Sequence, residues 1–244
     1  METLKKIWNV IILKIFYRLL MLRPKYCYDV VRLSNNYDRR NFVTLDKSLI
    51  PPKINGFHDL TYLFLCADLN KGIIFMDFDE GGYMWKVIHE NAPKALLEVG
   101  RFLGGSTVLI VAAANGSRVI SVDSKITVPE YAKDSLLDEH LKRLGLSNYE
   151  LFVHDSNNFD PQCMLDFVFI DGDHTYESVK KDFENFDKYL NIGGHMLFHG
   201  SCSTRPYTTH KEGTVKLMLE LKRSEKYKLI REVGSLTHFV KKEK

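Results

Sequence analysis

At 244 residues the chain exceeds the commonest domain size but stays within reach of one α/β domain with an N-terminal extension, and its 45% hydrophobic content supplies a core. The 34 Lys+Arg and 31 Asp+Glu leave a formal charge of +3, spread along the chain apart from a Lys-Lys-Glu-Lys tail, so no basic patch marks a nucleic-acid partner. The four cysteines (Cys27, Cys66, Cys163, Cys202) show no C-x-x-C or framework spacing, which argues against structural zinc and for reduced thiols in a cytoplasmic compartment.

In chain order, residues 4–22 (LKKIWNVIILKIFYRLLML) are long enough to approach a membrane span, yet Lys5, Lys6, Lys14 and Arg18 interrupt them. Each charge at mid-span costs about 2.5–3.5 kcal/mol on the insertion scale, which disfavours spanning. Lys14 and Arg18 inside the apolar stretch, with no small-residue cleavage site before Arg23-Pro24, also disfavour a secretory signal. Two readings stay open. One is a helix packed on the domain or on a second copy of the chain in a homo-oligomer. The other is a helix lying at the inner face of a membrane as a peripheral contact, with Trp8, Phe16 and Tyr17 at headgroup depth. Residues 24–56 are polar and irregular, punctuated by Asn35-Asn36, Arg39-Arg40 and Pro51-Pro52. The expected boundary therefore separates an extension, 1–56, from a domain, 57–244.

Residues 57–70 and 80–91 read as helices, with Tyr83, Trp85, Val87 and Ile88 on the second. The apolar run 95–99 reads as a buried strand, and Gly100, Gly104 and Gly105 lead from it into a helix over 108–114. A second strand over 118–122 ends at Asp123. Thr127-x-x-Glu130 has the form of a capping box, predicting a helix from there to Leu144, stopped by Gly145. A third strand, 149–153, precedes Asp155-Ser156. The run 165–174, LDFVFIDGDH, delivers Asp171, Asp173 and His174 to a strand's carboxyl end, with Asp173 or Thr175 available to cap a helix over 176–190. Gly193-Gly194 should close that helix and open a strand over 195–199. A polar loop, 201–213, a helix over 215–221 and a hairpin of strands 227–232 and 236–241 around Gly234-Ser235 finish the chain. This alternation predicts a doubly wound α/β fold with a mostly parallel sheet and an antiparallel last strand.

The pattern Glu98-x-Gly100-x-x-x-Gly104 is neither the dinucleotide fingerprint nor a P-loop. Glycines there let the backbone approach a ligand, and the following helix start suits an anion. A carboxylate at Glu98 would repel phosphates but could accept from an ammonium group, and Asp123, about 20 residues beyond Gly100, stands where an acid accepts from ribose hydroxyls. An amino acid joined to a ribose describes S-adenosylmethionine.

With these motifs in order, residues 95–199 resemble class I S-adenosylmethionine-dependent methyltransferases. Within that class they are most similar to the small-molecule O-methyltransferases related to catechol and macrocin O-methyltransferases, the methyltransferase family 24 type. The resemblance implies that Glu98, Gly100, Gly104, Ser106 and Asp123 bind the cofactor. It also implies an adenine contact at Asp155 with Ser156 beside it, against which stands a simple Asx turn. Asp171 would face both cofactor and chemistry, and His174 would be the general base. His199, Arg205 and His210 become acceptor contacts, for a hydroxyl of a sugar, glycan or other small metabolite. One departure matters. Relatives commonly carry Phe-His-Asp or a similar acidic pair that completes a divalent metal site, whereas this chain reads Phe198-His199-Gly200-Ser201. Magnesium wants hard oxygen ligands, so no tightly held metal is expected, and His199 would suit only a softer ion. The same departure supports a rival reading, a non-catalytic S-adenosylmethionine-binding or membrane-associated scaffold. A nicotinamide oxidoreductase is disfavoured by Glu98 and by the missing G-x-G-x-x-G.

Overall fold

The computed structural model describes residues 50–64, 73–124, 133–201 and 212–242, all within a unit spanning 39–244. The segment 4–22, the 127–130 capping box, Arg205 and His210 lie outside the described residues. No helix among the described residues is long and apolar enough to cross a membrane.

Among the described residues seven strands form one sheet: β1 (Ala95–Val99), β2 (Arg118–Asp123), β3 (Tyr149–Val153), β4 (Leu165–Ile170), β5 (Leu190–Phe198), β6 (Tyr227–Val233) and β7 (Leu236–Lys241). Their spatial order is β3-β2-β1-β4-β5-β7-β6, with β1 to β5 parallel and β7 antiparallel to both β5 and β6. This is the doubly wound arrangement expected from the alternation. The helices are α1 (Phe78–Asn91), α2 (Gly105–Ala113), α3 (Asp134–Arg143), α4 (Tyr176–Asp187) and α5 (Glu212–Arg223), with 3₁₀ turns at Phe57–Leu63 and Ser156–Asn158.

Period-2 alternation on buried strands sorts side chains into two cores. On β4, Phe167 and Phe169 join Met84 of α1, Leu109 of α2 and Leu137 of α3. Val168 and Ile170 point the other way, to Val179 and Phe186 of α4 and Leu217 and Met218 of α5. Both faces of the sheet are therefore covered, which is why the central strands read as continuous apolar runs. The winding reverses between β1 and β4, so the crevice at their carboxyl ends is where a ligand fits in such a sheet.

Several boundaries differ from expectation. Residues 57–70 yield only the 3₁₀ turn to Leu63 among the described positions. Helix α3 starts at Asp134 with Lys133 in extended backbone, so it does not run continuously from Thr127. Helix α4 stops at Asp187, and β5 starts at Leu190, earlier than the glycine pair suggested. Leu190 is buried and pairs with Leu165, and Gly193 at φ 79 carries the strand through a register shift instead of a turn.

The glycines after β1 answer first to the protein's own packing. A Cβ on Gly105 would lie 2.6 Å from the Ile74 nitrogen, and on Gly104 2.8 Å from the Leu137 side chain. Gly100 has φ +84, and a Cβ there would collide with the Asp171 carbonyl, where β1 and β4 run side by side. Gly116, at φ +93, has nothing within 4 Å. Gly116→Ala should therefore cost only the left-handed strain, about 1–2 kcal/mol. Gly100→Ala should add the collision and lower the urea midpoint distinctly further. Equal losses in the two variants would mean that the β1–β4 approach is not tight.

Candidate active site

The loop leaving β1 is held from both sides by backbone bonds, Gly100 N–H to the Val122 carbonyl and Asp171 N–H to the Val99 carbonyl, each 2.9 Å. Asp123, at the end of β2, accepts through one oxygen from the Arg101 and Phe102 N–H groups at 2.9 Å each. It therefore shapes the loop as well as standing where a ribose would need an acceptor. Arg101 turns inward. Its guanidinium donates to the Ser121 and Phe152 carbonyls at 2.9 and 3.0 Å and pairs with Asp134 at the start of α3. The first turn of α2 then presents N–H groups that the helix itself cannot satisfy.

Glu98 turns inward. It is fully shielded from solvent, and its oxygens accept from Ser106, Thr107 and Ser121, all at 2.6 Å. Burial pushes its carboxyl up and the three hydroxyls pull it back, leaving it above the ordinary value. Its donors belong to α2 and β2, so Glu98 and Ser106 anchor the helix start from beneath. A fixed anion under the loop is compatible with cations above it.

At the next strand ends, Asp155 makes the Asx turn, accepting from the Asn157 backbone and side chain at 3.0 and 2.8 Å. Ser156 donates to Asp182 of α4 at 2.5 Å. Asp173 accepts from Thr175 and Ser178, and Thr175 caps α4, as the sequence allowed. Asp155 and Asp171 remain partly open at the sheet's carboxyl edge, in line with Asp123.

The densest electrostatic arrangement surrounds Asp171. His199 Nδ1 lies 2.9 Å from Asp171 Oδ1, and His174 Nε2 lies 3.7 Å from the same oxygen. His174 Nδ1 faces the Thr214 hydroxyl at 3.4 Å, from the first turn of α5. The other side of His199 is closed by Glu80 of α1 at 3.3 Å and by the Ser235 hydroxyl at 3.2 Å. Glu80 also accepts from the Ser235 N–H and hydroxyl and from the Asp77 N–H. Burial alone would push the Glu80 carboxyl up, but the bond and charge of His199 with these N–H groups bring it down to about 2. Burial likewise disfavours protonated His199, but the charges and bonds of Asp171 and Glu80 raise it to about 9. His199, expected at the acceptor, is buried here with both ring nitrogens engaged.

Glu80, Ser235, Arg101 and Asp182 were not picked out from the sequence. Glu80 carried one signal, the spacing Asp77-x-x-Glu80 of a helix start, but nothing local shows that its other bonds reach residues 119 and 155 positions away.

Asp171, His174 and His199 offer donor atoms within 4.8 Å of one another, the proximity a metal ion requires. The donor set does not fit one as it stands. Both nitrogens of His199 face carboxylates, Gly200 has no side chain, and the Ser201 hydroxyl is spent on the Phe198 and Ser235 carbonyls and Thr237.

Asp182 gives a pH test of the region. It is buried, and burial pushes its carboxyl up to about 6, with Asp155 and Asp173 adding to the rise and Ser156 opposing it. A carboxyl raised in the folded state lowers stability as pH climbs from its ordinary value, 3.8, through about 6. Asp182→Asn keeps an acceptor for Ser156 and should gain about 2–3 kcal/mol above pH 6 and nothing near pH 3.5, by urea unfolding at the two pH values. A gain independent of pH would contradict the assignment.

Residues 97–201 match the family described as "Methyltransferase domain". An uncharacterised protein of Acanthamoeba polyphaga mimivirus is 29% identical over 108 residues, 42% of this chain and 49% of that protein, so the match spans about half the length of that relative. Among solved structures, the O-methyltransferase TomG of Streptomyces achromogenes, in complex with SAM, aligns with TM-score 0.56 at 15% identity over 86% of this chain and all of its own. An O-methyltransferase of Bacillus cereus in complex with SAH gives TM-score 0.53 at 17% identity over 80% and 94% of the two chains. A SAH-bound methyltransferase of Podospora anserina gives 0.56 at 14% over 90% and 97%. Identities this low speak for the fold, and the family match speaks for the segment from β1 to the end of β5. Residues 97–201 thus match a methyltransferase domain, and the described fold is similar to that of these solved methyltransferases.

Proposed function

We propose that the chain transfers the methyl group of S-adenosylmethionine to a hydroxyl of a small-molecule acceptor. One juxtaposition carries this reading: a helix start and the carboxylates Asp123, Asp155 and Asp171 follow the carboxyl edge of β1, β2, β3 and β4, with the His174 imidazole beside the last of them. The solved O-methyltransferases of the same fold, crystallised with SAM or SAH, support it.

The N–H groups opening α2 suit the amino acid carboxylate of the cofactor, Asp123 its ribose hydroxyls and Asp155 its adenine amino group. When bound, the cofactor supplies a methyl group already activated by its sulfonium. The protein's task is then to aim an oxygen at that methyl and to remove its proton. His174, with the proton on Nδ1 turned to the Thr214 hydroxyl, accepts at Nε2, and the imidazolium so formed lies 3.7 Å from Asp171. A sugar, glycan or other small metabolite fits as acceptor because the loop 201–213 is rich in hydrogen-bonding groups, among them Arg205 and His210.

Calorimetric titration with S-adenosylmethionine should show saturable binding. Asp123→Ala should weaken it about 10- to 100-fold, the worth of a charged acceptor and of the loop it holds. Absence of binding by the wild type would end the methyl-transfer reading.

His174→Ala should leave that affinity unchanged while lowering methyl transfer by about 10²- to 10⁴-fold, followed with labelled S-adenosylmethionine across a panel of hydroxylated acceptors. Undiminished transfer would remove His174 from the chemistry.

A further inference from the structure

We propose that the protonated ring of His199, clasped between Glu80 and Asp171, is a built-in cation of this site that occupies its donor atoms and excludes a metal ion. The inference rests on the methyl-transfer reading only for its consequence, not for its geometry. Four separate elements meet here: Glu80 from the first turn of α1, Asp171 after β4, His199 after β5 and Ser235 from the β6–β7 hairpin.

The bonding pattern sets the charge. An ionised carboxylate only accepts hydrogen bonds, and a neutral imidazole has one N–H to give. Nδ1 lies 2.9 Å from Asp171 and Nε2 3.3 Å from the buried Glu80, so a neutral ring would set a lone pair against one of the two carboxylates. Doubly protonated, the ring donates to both. The Ser235 hydroxyl agrees with this direction. Its proton goes to Glu80 at 2.8 Å, leaving its oxygen to accept from Nε2 at 3.2 Å. The remaining Glu80 partners are N–H donors, as an ionised carboxylate needs. Gly234 is adapted to the array, because a Cβ there would collide with Glu80.

A histidine ligand must turn a lone pair toward the ion, whereas here each nitrogen of His199 spends its proton on a carboxylate. The array also fixes Asp171. With its Oδ1 held by His199⁺, the carboxylate keeps its place beside His174 Nε2, where it meets the proton taken from an acceptor. The charge a divalent ion would bring to Asp171 is thus provided by a proton stored in the fold.

The test uses the 244-residue chain and needs no acceptor. Nitrogen NMR of the histidine rings at pH 7.5 should show both His199 nitrogens protonated, and calorimetry with zinc, manganese or magnesium should show no stoichiometric binding that depends on His199. In Glu80→Gln the His199 titration midpoint should fall by about one pH unit or more, the effect of losing a close opposite charge. Glu80→Asp should restore part of that fall. A His199 ring neutral at pH 7.5 in the wild type would overturn the proposal. So would wild-type binding of any of the three metals that His199→Ala abolishes, because Glu80 would then be orienting a metal ligand. A parallel titration with S-adenosylmethionine separates the two readings: its failure would remove the proposed activity while the charge state and metal titration of His199 still stand.

Discussion

A carboxylate without water lies beneath the loop that defines the site. Glu98, fourth residue of β1, would be a severe liability in a low-dielectric interior if its oxygens were unpaired. Three hydroxyls resolve this, from Ser106 and Thr107 on α2 and Ser121 on β2. Because the donors come from separate elements, satisfying one buried charge sets where α2 begins relative to β1 and β2. The direction in which its first N–H groups point follows from that placement.

The same logic, polar groups of one element satisfied only by another, extends across the sheet's carboxyl edge. Asp123 holds the loop through two N–H groups, and Arg101 ties the loop to β2, β3 and α3 through carbonyls and Asp134. On the other side of the switch point, the close approach of Gly100 to the Asp171 carbonyl brings the loop against the end of β4. From Asp171 the connections run to His199 and Glu80 and end at Ser235 in the antiparallel hairpin. The hairpin closing the sheet thus contributes to the site, and α1, which precedes the sheet in the chain, seals it.

Sequence patterns reveal the strands more readily than the helix ends. Strands β1, β3 and β7 coincide with their expected bounds because buried parallel strands are short apolar runs flanked by polar turns. The start of α3 and the junction of α4 with β5 were displaced. At the α4–β5 junction a glycine pair competed with long-range pairing, and the buried Leu190–Leu165 pair prevailed.

Periodicity and the order of motifs along the chain sufficed to establish the doubly wound class, the glycine turn after β1, and the delivery of Asp123, Asp155, Asp171 and His174 to one edge. All of these follow from residues close together in sequence. Only the tertiary structure decided what each polar group faces. It turned Glu98 and Ser106 inward, withdrew His199 from the acceptor side, and introduced Glu80 and Ser235, which lie 119 and 36 residues from His199 along the chain. The reason is physical: hydropathy patterns record which residues leave water, but the partner of a buried charge is set by the packing of distant elements, and that packing has no local signature.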